Sequence, residues 1–293
     1  MRKIQIIGVP IKEGCSAEGA DLSYRYLKNS IDSLISPDLE TEIDVNFSCN
    51  KELVCHNMKN ISRVMEINKR LYNGVFSSLN GNYFPLIIGG DHSLAIGSIS
   101  AVLDYYKGDV SVIYVDKHTD IHTEKTSPSG NIHGIPLSAC IGRTNKIFSI
   151  SKYKLNPTNL YFLGICNYEK EEMEYVNQEK IFNLKDYEIN NNNIDIIIEE
   201  LKKKIKTNHI HLSFDLDSIC DKDFHAVNVS VHNTYQDNKG LSFETIKKLL
   251  DALLKNFKFC SMDFVEYNPL LDIDGKCKKK AELLFNIIKK NVH

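Results

Sequence analysis

FPLIIGGDHS (residues 84–93) and VSVIYVD (residues 110–116) frame one predicted strand–helix–strand unit. Each contains a short apolar run without strict alternation, which is typical of strands that are buried on both faces of a parallel sheet. Between them, residues 93–106 carry apolar side chains at helical spacing. This stretch therefore predicts a buried strand, a helix and a second buried strand in succession.

The same alternation continues in both directions along the chain. Further strands are predicted at residues 3–10 (KIQIIGVP), 159–165 (NLYFLGI), 209–217 (HIHLSFDLD) and 257–266 (FKFCSMDFVE), and further helices over 194–205, 243–254 and 279–290. Alternating strands and helices predict an α/β fold with a central parallel sheet. No shift in composition marks a domain boundary, and the polar segment 221–239 is predicted to be an extended loop.

Composition excludes several classes of protein. The chain has 293 residues, 42 % of them hydrophobic and 25 % charged, and its formal net charge is −2. These values are typical of a folded globular protein rather than a disordered one. A charge this close to zero argues against a nucleic-acid partner, and no apolar stretch reaches the roughly 18 residues of a membrane helix.

Cysteine usage and the N-terminus predict a cytoplasmic protein. The eight cysteines are scattered and form no C-x-x-C pair, so we expect free thiols in a reducing compartment. The apolar run near the N-terminus is shorter than the core of a secretory signal and is interpreted as the first strand.

Carboxylates and histidines follow three of the predicted strands. The clusters are GGDHS (89–93), DKHTD (116–120) and DLD (215–217). The carboxyl ends of parallel strands line one crevice, so the three clusters are expected to meet there. Each motif alone has a plainer explanation: GGDHS as a turn with Ser93 at a helix N-terminus, and D-x-D as the solvated end of a strand. The combination favours a metal site.

The combined cluster needs positive charge. Its members are Asp91, His92, Asp116, His118, Asp120, Asp215 and Asp217. So many carboxylates cannot ionise side by side without a cation, and carboxylate with some imidazole suits Mn²⁺, Mg²⁺ or Fe²⁺, singly or as a hydrolytic pair. Alternate residues of an extended D-x-H-x-D run point the same way, so Lys117 and Thr119 are expected to point away from the ions.

The order GGDHS, D-x-H-x-D and SFDxD resembles the ureohydrolases: arginase, agmatinase, formimidoylglutamase and their relatives. The resemblance spans the whole chain, including IQIIGVP and GADLSYRYL near its start. It implies one three-layer α/β/α domain over residues 1–293, two Mn²⁺ ions and a homo-oligomer, trimeric or hexameric. By resemblance, one ion would be held by His92, Asp116, Asp120 and Asp215, and the other by His118, Asp116, Asp215 and Asp217, with Asp116 and Asp215 bridging.

The resemblance also implies the catalytic residues. His133 in SGNIHG (129–134) is similar to the proton-shuttle histidine of the family, and Glu266 in DFVEYNP (263–269) to the carboxylate that pairs with the guanidinium. Together with the metal ligand Asp120, these are the predicted catalytic residues. The reaction implied is attack of hydroxide on the guanidinium carbon, which releases urea and an amine.

The SGN stretch is similar to that of arginases, where its serine and asparagine contact the amino-acid end of the substrate. Ser129 and Asn131 would do so here. His122 stands where arginases have asparagine, and Glu169 stands where the last aspartate of R-D-x-D is expected. These residues and Glu266 are the predicted substrate contacts. They favour arginase, which converts L-arginine and water to L-ornithine and urea.

Several alternatives remain open from the sequence. Three alternatives share the metal motifs: agmatinase, formimidoylglutamase and a hydrolase of another guanidino acid. Val229–Ser230 is faintly similar to the corresponding residues of formimidoylglutamases. A histone-deacetylase-like hydrolase would use one zinc ion. A non-catalytic relative that keeps the metal for stability is favoured only by Lys117, where the family has a small residue, and by the altered substrate contacts.

Overall fold

Eight strands form one sheet within residues 3–15, 17–49, 51–228 and 239–292, which the computed structural model describes. They are β1 (Lys3–Val9), β2 (Leu39–Glu42), β3 (Tyr83–Gly89), β4 (Val110–Val115), β5 (Leu160–Ile165), β6 (Phe182–Lys185), β7 (His209–Asp215) and β8 (Phe259–Val265). Their order across the sheet is β2-β1-β3-β8-β7-β4-β5-β6. Every pairing is parallel, as predicted.

All six predicted strands are present, and the two that were not predicted lie at the edges of the sheet. Strand β2 reads LETE and strand β6 reads FNLK, and neither is fully buried. An edge strand has fewer neighbours to bury its side chains, so it lacks the continuous apolar run that reveals a central strand. The inner strands β4 and β5 are buried at every position.

Eight helices cover the sheet within the same described residues. They are α1 (Ser23–Leu34), α2 (Ile61–Asn80), α3 (Ala95–Tyr105), α4 (Pro136–Ile141), α5 (Lys170–Gln178), α6 (Ile194–Lys204), α7 (Phe243–Asn256) and α8 (Lys276–Asn291). Helices α1, α6, α7 and α8 pack their apolar residues into one core, and α2, α3, α4 and α5 pack theirs into a second. The sheet separates the two cores, which confirms the three-layer α/β/α architecture.

The helices predicted over 93–106, 194–205, 243–254 and 279–290 correspond to α3, α6, α7 and α8. Within the described residues, no helix has both the length and the apolar character required to cross a membrane. Every cysteine is a free thiol. The predicted loop over 221–239 has no regular helix or strand in its described part, and Val229–Ser230 lie outside the described residues.

Candidate metal centre and active site

The four central strands end at one crevice, where they deliver the predicted metal ligands. His92 follows β3, the D-x-H-x-D run follows β4, Asp215 ends β7 and Glu266 follows β8. Because these strands are neighbours in the sheet, side chains that are far apart in sequence come into contact at their carboxyl ends. The structure brings all six predicted ligands into this crevice.

One ring nitrogen of His92 faces three carboxylates. Its Nδ1 lies 3.0 Å from Asp116 Oδ2, 2.9 Å from Asp215 Oδ2 and 3.4 Å from Asp120 Oδ2. His92, Asp116 and Asp215, the "His92 group", each offer a ligand atom within 4.8 Å of the others. These are the spacings expected of ligands that surround one cation.

A second group shares a carboxylate with the first. His118 Nδ1 lies 3.0 Å from Asp217 Oδ2 and 3.5 Å from Asp116 Oδ1. Asp116, His118 and Asp217, the "His118 group", likewise lie within ligand range of one another. Asp116 therefore turns one oxygen to each histidine. The second predicted bridge, Asp215, instead accepts the Asp217 backbone N–H through its Oδ1 at 2.7 Å.

The electrostatics of the two groups suit divalent cations. Among the described residues, Asp217 Oδ1 is buried and accepts no hydrogen bond, and Asp116 Oδ2 is buried with the His92 ring nitrogen 3.0 Å away. Burial, with the neighbouring Asp116, raises the pKa of Asp120 to about 7. Burial, with Asp217 and Asp116, likewise raises the pKa of Asp215 well above its ordinary value. Crowded carboxylates, one of them with an unpaired buried oxygen, need positive charge, and hard or borderline ions prefer such ligands.

The GGDHS turn is held by Asp91 rather than by Ser93. Asp91 caps the short helix His92–Leu94 by accepting the Ser93 backbone N–H at 3.0 Å, and it also accepts the Gly14 N–H at 2.9 Å. Gly90 is required here, because a Cβ at this position would lie 2.0 Å from the Ile11 carbonyl oxygen. Asp91 thus orients the backbone that carries His92.

Glu266 and His133 lie side by side at the crevice. His133 Nδ1 is 3.5 Å from Glu266 Oε1, which also accepts the His92 backbone N–H at 2.8 Å. Burial would lower the pKa of His133, but the Glu266 carboxylate outweighs burial and raises it. Glu266 adopts φ +67°, a conformation that non-glycine residues rarely adopt outside functional or strained sites.

Four of the five predicted substrate contacts form two pairs. His122 Nε2 lies 2.9 Å from Glu169 Oε2, and this hydrogen bond lowers the Glu169 pKa to about 2. The Asn131 backbone N–H donates to Ser129 Oγ at 3.1 Å. Between these two residues, Gly130 has φ +71°, and a Cβ there would lie 2.2 Å from the Asn57 carbonyl oxygen. Only glycine fits at this position.

The arginase family profile matches residues 2–290 of the chain. The chain belongs to the arginase family. Members of this family are hydrolases that act on guanidino C–N bonds, so the chain is assigned to that class of enzyme.

Individual relatives agree with this assignment. The arginase of Bacillus caldovelox is 30 % identical over 296 residues, which cover 97 % of both chains. Its structure has a TM-score of 0.86 at 28 % identity and covers 100 % of this chain and 98 % of its own. The Entamoeba histolytica arginase in complex with L-ornithine has a TM-score of 0.87 at 26 % identity, with 98 % and 99 % covered.

A formimidoylglutamase from Bacillus subtilis has the same fold. Its structure has a TM-score of 0.74 at 17 % identity and covers 99 % of this chain and 87 % of its own. Identity this low supports the fold alone, so this similarity leaves the choice of substrate open.

Four residues of this arginase-family site were not predicted. Tyr114 stacks on His92 with ring centroids 4.6 Å apart, and its hydroxyl donates to Asp120 Oδ2 at 2.7 Å. Ser213 Oγ lies 2.8 Å from His92 Nε2, and Asn167 Nδ2 lies 3.0 Å from His118 Nε2. The fourth is Lys59, whose Nζ donates to Asn131 Oδ1 at 3.2 Å.

Two of these four residues had a detectable signal in the sequence. Tyr114 and Ser213 precede Asp116 and Asp215 by two residues, so along their strands they face the same side as those ligands. Asn167 and Lys59 come from separate loops, and only the tertiary structure places them here.

Lys117 and Thr119 contact residues outside the two histidine groups, but strand alternation is not the reason. Strand β4 ends at Val115, residues 116–118 form a bend and Asp120 has φ +47°, so the predicted extended run is wrong. Lys117 Nζ lies 3.5 Å from Asp221 Oδ1, and Thr119 Oγ1 donates to Glu172 Oε1 at 2.6 Å. Burial would lower the Lys117 pKa, but the carboxylates of Asp217 and Asp221 outweigh burial and raise it. The ammonium therefore keeps its charge inside the protein.

Proposed function

We propose that this chain is a binuclear-manganese arginase that hydrolyses L-arginine to L-ornithine and urea. The observation that carries the proposal is Asp116, whose two oxygens face two separate histidine–carboxylate groups. A shared carboxylate between two groups is the arrangement expected of a two-ion hydrolytic site. Asp217 Oδ1, which is buried and accepts no hydrogen bond from the described residues, supports the presence of a cation.

The proposed metal ligands are His92, Asp116, His118, Asp120, Asp215 and Asp217. Two bound Mn²⁺ ions would lower the pKa of water and so supply a nucleophile at neutral pH. The chain itself orients these ligands: Tyr114 stacks on the His92 ring, Ser213 Oγ contacts its Nε2, and Asn167 contacts His118. Such outer contacts keep a ligand in the orientation that coordination requires.

Glu266 and His133 would act on the two ends of the scissile bond. The Glu266 carboxylate is buried and anchored by the His92 backbone N–H, so it offers a fixed negative charge to a guanidinium group. His133 beside it has a raised pKa, because the Glu266 carboxylate favours the protonated imidazole. That proton would go to the departing amine nitrogen as the C–N bond breaks.

The outer residues favour an amino acid as substrate. Glu169, whose side chain is 54 % exposed, presents a carboxylate that can meet an α-ammonium group. His122 and the Lys59–Asn131 pair present hydrogen-bond donors that can meet an α-carboxylate. Both charges are present on L-arginine, whereas agmatine lacks the carboxylate.

The domain organisation, the cellular location and the oligomeric state are also proposals. We infer a single ureohydrolase domain over residues 1–293 that works as a cytoplasmic homo-oligomer, a trimer or hexamer, on a small guanidino substrate. The family resemblance supports this inference.

The direct test is release of urea by Mn²⁺-loaded protein with L-arginine, agmatine and other guanidino acids measured in parallel. Formimidoylglutamate would be followed by formamide release. We expect turnover of L-arginine in preference to the others. Turnover of a different substrate would contradict the arginase assignment while preserving the metal chemistry, whereas absence of bound metal would contradict both.

His122→Ala is expected to weaken the preference for L-arginine over agmatine. The substitution removes the donor that pairs with Glu169 and faces the proposed carboxylate position. A hydrogen bond to a charged group contributes about 1.5–3 kcal/mol, so the ratio of kcat/KM values should fall by about ten- to a hundredfold. Most of the change should appear in KM for L-arginine.

His225→Ala is the matched control, because His225 is an exposed histidine whose ion-pair partner is Asp274, outside the crevice. It should leave the arginine-to-agmatine ratio unchanged. An unaltered ratio in His122→Ala would show that His122 does not recognise the substrate.

A further inference from the structure

Three ligand-bearing side chains meet away from the two histidine groups. Cys55, His56 and Glu124, the "Cys55 group", each offer one ligand atom within 4.8 Å of the others. The group shares no residue with the His92 group or the His118 group. It also differs from them in kind, because it combines a thiol with an imidazole and a single carboxylate.

A turn allows Cys55 and His56 to face the same carboxylate. The Met58 backbone N–H donates to the Cys55 carbonyl oxygen at 3.2 Å, and His56 has φ +51°. Adjacent side chains of an extended chain point to opposite sides. The left-handed residue reverses the chain direction at this point, so that both side chains come within reach of Glu124.

The three side chains combine burial with access from solvent. Cys55 is 8 % exposed and Glu124 is 5 % exposed, whereas His56 lies at the surface. The Asn145 backbone N–H donates to Glu124 Oε2 at 3.2 Å and so orients the carboxylate. Within the part of the chain that the structure describes, neither the Cys55 thiol nor the His56 ring forms a hydrogen bond. Both remain available to an ion that enters past His56.

We propose that the Cys55 group binds one zinc-class cation through a thiolate, an imidazole and a carboxylate, with water in the fourth position. Zn²⁺ takes sulfur, nitrogen and oxygen ligands in tetrahedral sites. Thiolate ligands select such softer ions, whereas the carboxylate-rich histidine groups suit Mn²⁺. The chain would therefore separate two classes of cation by the chemistry of their ligands.

Binding of the ion would displace the thiol proton. Burial and the nearby Glu124 carboxylate raise the pKa of Cys55, so the thiol keeps its proton at neutral pH when no ion is bound. As the sulfur lone pair is donated to the cation, the S–H bond breaks and the proton passes to solvent. The apparent affinity for the cation should therefore increase with pH.

The Cys55 group joins two loops that already contact each other. The Lys59 backbone N–H donates to the Gly130 carbonyl oxygen at 2.9 Å, and Asn57 Nδ2 donates to the Ser127 carbonyl oxygen at 3.3 Å. A cation held by the group would cross-link these loops. Because such a cation binds the folded chain, it should raise the melting temperature of the Mn²⁺-loaded protein.

The test is titration of CdCl₂ into the full-length protein with MnCl₂ in excess, followed by the ultraviolet absorption of the Cd²⁺–thiolate bond. We expect a component of the absorption that saturates at one equivalent of Cd²⁺. Cys55→Ser should abolish this component. Cys49→Ser is the matched control, because it changes an exposed thiol of the same loop, and it should leave the absorption unchanged.

His56→Asn and Glu124→Gln test the other two ligands. Asparagine tolerates the left-handed conformation of residue 56, and glutamine keeps an oxygen for the Asn145 N–H, so both variants should fold. Loss of even an outer contact of a metal site weakens binding by about ten- to a hundredfold, so each variant should weaken Cd²⁺ binding by about tenfold or more. Glu52→Gln, at an exposed position of the same loop, is the control and should have no effect.

The outcomes decide this inference separately from the proposed function. Absorption that persists in Cys55→Ser would overturn it, and so would unchanged Cd²⁺ affinity in either His56→Asn or Glu124→Gln. If Cys55→Ser does not fold, the latter two variants decide alone. ZnCl₂ should raise the melting temperature of the Mn²⁺-loaded wild type but not that of His56→Asn at the same concentration. None of these measurements requires turnover of L-arginine, so failure here leaves the arginase proposal intact, and the reverse also holds.

Discussion

Asparagine in place of Asp116 is expected to abolish binding of the metal pair and to reduce urea release by about a thousandfold or more. Asp116 faces both His92 and His118, so the substitution removes a charged ligand from both groups at once. Metal activation contributes several kcal/mol to such reactions, and each 1.36 kcal/mol or so corresponds to a factor of ten in rate. Metal content and urea release measure the two effects.

The stability of the Asp116→Asn variant should distinguish a metal ligand from a structural residue. Without metal, the variant should melt close to the metal-free wild type, because the relief of crowding among buried carboxylates offsets the lost contacts of Asp116 with His92 and His118. With Mn²⁺ at about a thousandfold excess over its dissociation constant, only the wild type should gain about 4 kcal/mol of unfolding free energy per ion. Asp109→Asn, which changes an aspartate that pairs with Asn208, is the matched control. A collapse of the metal-free variant would contradict the ligand assignment.

Replacement of His133 by asparagine is expected to lower kcat for L-arginine by about a hundred- to ten-thousandfold, the usual contribution of a positioned general acid. Metal stoichiometry should stay at the wild-type value, because His133 contacts Glu266 and belongs to neither histidine group. KM should change much less than kcat, since the proton is required only as the C–N bond breaks. Steady-state kinetics and metal analysis on the same preparation test both statements.

Added imidazole should restore part of the lost activity in His133→Asn, and it should restore none in Asp116→Asn. A companion measurement is the NMR titration of His133 in the metal-free protein. Glu266 raises the pKa of His133, so Glu266→Gln should move its titration to lower pH. If His133→Asn lost metal together with activity, the proton-transfer role would be wrong and a structural role would replace it.

The inner sheet was predictable because burial leaves a strong pattern in the sequence. Strands β3 and β4 read as continuous apolar runs, and their polar residues begin where the strands end. Helix α2 was missed although its apolar positions have helical spacing, with Ile61, Val64 and Leu71 all buried. Strands β2 and β6 were missed for a physical reason, because short polar edge strands are stabilised by pairing with a neighbour rather than by their own composition.

The ligand set was also predictable, because each predicted ligand lies within a few residues of a strand end and parallel strands bring their ends together. That these residues bind metal ions stays a prediction. The contacts at the outer part of the crevice were not predictable in the same way. The sequence alone leaves His122 and Glu169 as two unusual residues, whereas the structure pairs them at 2.9 Å. Nothing in their spacing of 47 positions indicates that contact.

The sequence by itself determined the family, the parallel α/β architecture and the residues that meet at the crevice, because periodic burial and the position of strand ends are local properties of the chain. The tertiary structure decided how those residues share their charges. It divides the two oxygens of Asp116 between two histidines, and it places Lys117 against Asp221. These arrangements depend on distances between segments remote in sequence, which are set only when the strands and loops pack together.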